Sequence, residues 1–104
     1  MFGQIDSTPS LQSITVTSEA GTASGDTKIT LSGYSPATGE SYVYKFGESD
    51  APTVIYGQKL GSSWKTMTSP AQLTPGSNTK ITVASVDANG RAQAAGSADV
   101  LKNT

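Results

Sequence analysis

The chain of 104 residues contains no cysteine and no histidine. Without cysteine there is no disulfide framework, no thiol nucleophile and no zinc site of the Cys/His type. Without histidine there is no Ser-His-Asp triad. Charge is scarce as well: 14% of residues are charged, and the net charge is -1. The seven Lys and Arg are scattered from Lys28 to Lys102, whereas gripping nucleic-acid phosphates takes a cluster of them. No nucleic-acid partner is expected. Apolar runs end after a few residues, short of the roughly 20 that a membrane-spanning helix needs. No membrane partner is expected either. The opening Met1-Phe2-Gly3-Gln4-Ile5-Asp6 has neither the basic nor the apolar region of a secretory signal. The expectation is a protein that acts without such export, or one whose signal has been removed.

What is present suits one small domain. A chain of this length buries roughly two-thirds of the surface it exposes when unfolded. Short runs of β-branched and aromatic residues recur along it, which separates it from a disordered chain. Residues 1–10 are polar and carry Pro9, with Phe2 and Ile5 as apolar side chains. They read as a flexible N-terminal arm, either a frayed terminus or a tether that orders on a partner. Residues 11–104 read as the domain.

Several segments alternate with period two, the signature of half-buried strands. In residues 11–18, Ile14 and Val16 alternate with Ser13, Thr15 and Thr17; in 27–32, Ile29 and Leu31 alternate with Lys28 and Thr30. In 41–46, Tyr42, Tyr44 and Phe46 share one face, which predicts the centre of the core. Residues 53–56, around Val54 and Ile55, follow Pro52 and predict an edge strand, where a missing donor costs little. Residues 57–75 hold Trp64, Met67 and Leu73 with little periodicity and predict loops and one short strand. Residues 79–86 alternate around Ile81 and Val83, Asp87-Ala88-Asn89-Gly90 reads as a hairpin loop, and 91–101 return with a bend or bulge at Gly96. Helical spacing is never sustained. The pattern predicts an all-β immunoglobulin-like antiparallel β-sandwich of about seven strands, with an antiparallel barrel as the alternative.

The motifs Gly25-Asp26-Thr27-Lys28-Ile29-Thr30-Leu31, Ser41-Tyr42-Val43-Tyr44-Lys45, Tyr56-Gly57-Gln58-Lys59-Leu60 with Ser63-Trp64, and the stretch from Lys80-Ile81-Thr82-Val83 to Asn89-Gly90-Arg91 together resemble a small Ig-like or fibronectin-III-like domain. That domain occurs in tailed bacteriophages and in prophages of Gram-positive hosts. The resemblance covers nearly all of residues 10–101. It implies a virion structural protein, a head decoration protein or head fibre bound to the outer surface of the major capsid protein and assembled in the host cytoplasm. Self-association at capsid symmetry positions would go with it. The same fold occurs on bacterial cell surfaces, so a carbohydrate- or cell-surface-binding module is the alternative, with a weak host-surface glycan as ligand; a tail appendage is a third. The resemblance brings no catalytic residues.

The side chains agree with a protein that is not an enzyme. The eight carboxylates fall mostly in predicted turns, and no acidic pair is flanked by aromatics that would raise one pKa for glycoside hydrolysis. Glu48 with Asp50 and Asp87 with Asn89 have a spacing that oxygen ligands of calcium use, but turn chemistry explains both. No Gly-x-x-x-x-Gly-Lys-Ser/Thr phosphate cradle occurs. Neither a metal nor a cofactor is expected. Trp64, Tyr34 and Tyr56 are sugar-stacking candidates. Trp64 is expected to plug the core instead, while Tyr34, beside Gly33, is expected to be exposed. The partner-binding candidates are Phe2 and Ile5 on the arm, Tyr34 in its loop, and Val54 and Tyr56 on the predicted edge strand.

Overall fold

A computed structural model describes residues 10–103. Among them there is no helix, and eight strands form two sheets. The strands are β1 (Gln12–Ser13), β2 (Thr15–Ala20), β3 (Thr27–Ser32), β4 (Ser41–Gly47), β5 (Lys65–Met67), β6 (Ala71–Leu73), β7 (Lys80–Val86) and β8 (Ala92–Asp99). One sheet runs β1-β8-β7-β4-β5 and the other β2-β3-β6. Every pairing is antiparallel except that of β1 with β8. This is the immunoglobulin-like sandwich expected from the strand pattern.

The registers give the domain two poles. Gly47 pairs with Lys80, and Lys80 with Asp99, at one pole; Ser41 pairs with Val86, and Val86 with Ala92, at the other. The β7–β8 hairpin loop sits at the second pole. The core lies between the sheets. Ile29, Ile81 and Val83 are fully buried there with Met67, and Tyr42, Tyr44 and Phe46 pack around them half-buried. The aromatic face of β4 therefore points inward as expected. The Tyr44 and Phe46 rings meet edge to face with centroids 5.4 Å apart, a favourable aromatic geometry.

Four segments depart from expectation. Residues 11–18 are not one strand. The chain pairs with β8 as β1, crosses at Ile14, and pairs with β3 as β2. Alternation persists through the crossing, because a change of partner leaves the side-chain period unchanged. Residues 57–75 hold two short strands rather than one, β5 and β6, on different sheets and joined through a cis Ser69–Pro70 peptide. Residues 53–56 form no strand. Gly96 does not bulge β8; the register slips instead at Gln93 of β8, the extra residue between Ala92, which pairs with Val86, and Ala94, which pairs with Ser85.

Candidate functional site

The 53–56 segment belongs to a long strap, residues 48–64, laid over the outer face of the five-stranded sheet. It starts where β4 ends. A β-carbon on Gly47 would stand 1.9 Å from the Asp50 carbonyl oxygen, so the chain can fold back there only with glycine. The Glu48 carbonyl then accepts from the Thr79 hydroxyl, and the Pro52 carbonyl accepts from Thr82 Oγ1 at 2.7 Å. Further along, the Gly57 amide donates to the Ala92 carbonyl at 2.8 Å, the Ala92 amide to Gln58 at 2.8 Å, and the Leu60 amide to Gly90 at 2.9 Å. The Arg91 guanidinium donates to the Gly57 carbonyl at 3.1 Å. The backbone's polar groups are thus met by the sheet face and the hairpin instead of by a strand ladder. The sheet edge where residues 53–56 were expected is β5, and this corrects the edge-strand reading.

The strap explains where the tryptophan lies. Leu60 and Trp64 pack on Val43, Ala84 and Val86, so Trp64 is half-buried on the outer face of the sheet and not between the sheets as expected. Val43, which the alternation of β4 puts on that face, is buried by the same cover. Where the strap rises, a groove of about 320 Å³ remains, walled by Pro52 and Val54 on one side and Thr82, Ala95, Gly96 and Ser97 on the other.

At the top of the strap Ile55 is 70% exposed and Tyr56 40% exposed. The Gln58 side chain holds this turn, its Oε1 accepting from the Ile55 amide at 3.1 Å. Lys59 bridges to Arg91 alongside. Ile55 and Tyr56 are adjacent in sequence and exposed together, on a turn that continues into the Lys59–Arg91 backbone pairing, and this makes the turn the candidate contact surface. Of the expected partner-binding residues, Tyr56 lies on it in the open and Val54 sits half-buried beneath it. Ile55, read as a strand residue, is the more exposed member; the bracketing Pro52 and Gly57 were the signal for a turn.

Tyr34 is not an exposed aromatic. It is half-buried, and its hydroxyl donates to Glu40 Oε1 at 2.6 Å, the same oxygen that accepts from Ser85 Oγ at 2.8 Å. The Tyr42 hydroxyl donates to the Tyr34 carbonyl at 3.3 Å. Ser85 is fully buried, so the Glu40 carboxylate is the partner that makes its burial tolerable. Burial, and then the bond to Glu40, push the Tyr34 phenol up to about 12. Burial and the Glu40 charge also raise Tyr42. The group closes the end of the core; it offers no free acid, base or nucleophile.

The other acidic candidates do turn work. Asp87 Oδ1 accepts from the amides of Asn89 at 2.9 Å and Arg91 at 3.0 Å. Glu48 Oε2 accepts from Ser77 at 3.4 Å. Among the described residues no three His, Cys, Asp or Glu side chains converge as a metal site would require. Phe2 and Ile5, the arm candidates, lie outside the described residues.

Comparison with curated proteins and with solved structures gives no match. A family model does match. Residues 19–102, from the end of β2 through the whole of β8, fit the S-layer protein SbsC C-terminal domain, and the chain belongs to that family.

Proposed function

We propose that the domain is a non-catalytic structural module of a bacterial cell-surface layer, meeting its neighbours through the strap tip. The observation that carries this reading is the family match over residues 19–102, whose description is that of a surface-layer protein. The site geometry agrees with it: the exposed side chains suited to contact, Ile55 and Tyr56 beside Lys59 and Arg91, form a binding surface without reactive groups. The capsid-decoration reading has the motif resemblance as its support. Ile29, Ile81 and Val83 in those motifs are core residues, which speak for the sandwich and not for a location.

The test is co-sedimentation of the purified chain with isolated cell-wall fragments. The chain is expected to pellet with the walls, and the double variant Ile55→Ser, Tyr56→Ser to stay in the supernatant while melting at the same temperature as the parent. Equal pelleting of both would remove the strap tip from the account. Failure of the parent to pellet, with recovery in purified virions, would favour the capsid reading.

A further inference from the structure

The first and last parts of the described chain run side by side, in the same direction, along the length of the sandwich. Gln12 pairs with Ala94 and Ser13 with Ala95 in parallel register. The Ile14 amide donates to the Ala95 carbonyl at 3.0 Å, and the Ile14 carbonyl presses on Gly96. Beyond the end of β8 the alignment continues. The Leu101 amide donates to Ser18 Oγ at 2.9 Å, and Asn103 Nδ2 donates to the Gly21 carbonyl at 2.6 Å. The last two pairs are separated by 83 and 82 positions, and the β1–β8 pairs keep the same offset. This is one seam, not a set of unrelated contacts. Asn103 is fastened further: its carbonyl accepts from the Gly25 amide at 2.7 Å and its amide donates to Asp26 at 2.9 Å.

The two arms of the seam leave from opposite poles. The chain comes into β1 from the side of the β7–β8 hairpin, since Gln12 lies opposite Ala94. It leaves through residues 100–103 at the far pole, against the β2–β3 turn. Tension applied through the two ends draws β1–β2 toward one pole and the last residues toward the other. The seam's bonds then lie across the force and share it, so they fail together and not one at a time.

We infer that the domain carries tension along its long axis, with the parallel seam between residues 12–21 and 94–103 as the load-bearing element. This goes beyond the surface-layer reading and does not depend on it, because it concerns how the domain resists force wherever it resides. Forced unfolding is governed by the unfolding rate, so the seam should set that rate under load while mattering less when denaturant attacks the molecule from every side.

The test is constant-force unfolding of the full chain held by its two ends. It is compared with the same chain held transversely through cysteines introduced by Ser35→Cys and Asn89→Cys, which are unique because the chain has none of its own. The expected result is much slower unfolding when force acts along the seam. Equal rates in the two geometries would overturn the inference. In the end-to-end geometry the double variant Ser18→Ala, Asn103→Ala should unfold about tenfold faster at a given force, the scale set by losing the two seam bonds Leu101–Ser18 and Asn103–Gly21. Its unfolding rate in denaturant should change several-fold less. An equal change in both would mean the contacts are ordinary stabilising ones, and would also overturn it.

Discussion

The carbonyl oxygen of Ile14 fills the space that a β-carbon on Gly96 would need, the two positions being 1.8 Å apart. This close approach lets the chain cross from β8's sheet to β3's sheet at Ile14, itself 4% exposed. Gly96→Ala should force the crossing apart and cost about 1–3 kcal/mol, the usual scale of overpacking. Gly61→Ala is the control, since a β-carbon there meets nothing within 4 Å; its effect should stay within about 1 kcal/mol. Equilibrium denaturation of both variants gives the comparison.

The core is small, and its loss should be felt at the residues that are sealed. Ile81 is 0% exposed between the sheets, so Ile81→Ala should cost about 2–5 kcal/mol. That is a large share of the roughly 5–15 kcal/mol that holds such a domain together. Tyr44, only half-buried beside Phe46, should cost less on truncation to Ala. Denaturant midpoints at constant slope would report both, and the reverse order would contradict the assignment of the core.

The hydroxyl of Thr82 ties the strap to the sheet through the Pro52 carbonyl. Thr82→Val preserves shape and deletes the donor. The carbonyl loses its partner, at a cost of about 1–3 kcal/mol if it stays dry. Trp64, which ends the same strap, packs from it onto the sheet and is the chain's one tryptophan, should report the loosening as a red shift in its emission. An unchanged spectrum together with unchanged stability would mean that the strap is held elsewhere.

Burial of the Tyr34 phenol, together with its bond to Glu40, predicts a loss of stability in alkali. Folding raises the Tyr34 phenol from 10.0 to about 12, and Tyr42 moves in the same direction. Between those pH values the unfolded chain has released the proton and the folded chain has kept it. Stability is therefore fully present below about pH 10 and declines as pH rises toward 12. Denaturant unfolding across that interval should show the decline, and Tyr34→Phe should make it shallower. A variant with the parent's slope would show that Tyr34 plays no part in it.

Much of the sandwich was legible because it depends on period-two alternation. Ile29, Tyr42, Tyr44, Phe46, Ile81 and Val83 all face the core that the alternation assigned to them. What stayed hidden depends on partners. Nothing local to Ile14 marks a change of sheet, and Gly96 gives no sign that another segment's carbonyl lies against it. The strap was misread as an edge strand because Val54 and Ile55 have strand-like side chains, while the groups that satisfy much of its backbone, Thr82, Gly90 and Ala92, lie at least 30 positions from their partners in sequence. Tyr34 looked exposed because it follows a glycine in a loop; the acceptor that buries it, Glu40, became visible only with Ser85 behind it. Of the candidate contact surface, Tyr56 could be read from the sequence, but its setting between Ile55, Lys59 and Arg91 required the fold.

Location tests the surface-layer reading most directly. Gold-labelled antibody raised against the domain should decorate the outside of intact producing cells as a continuous layer in electron micrographs. Labelling that appears only after the cells are broken open, or only on virus particles, would contradict it.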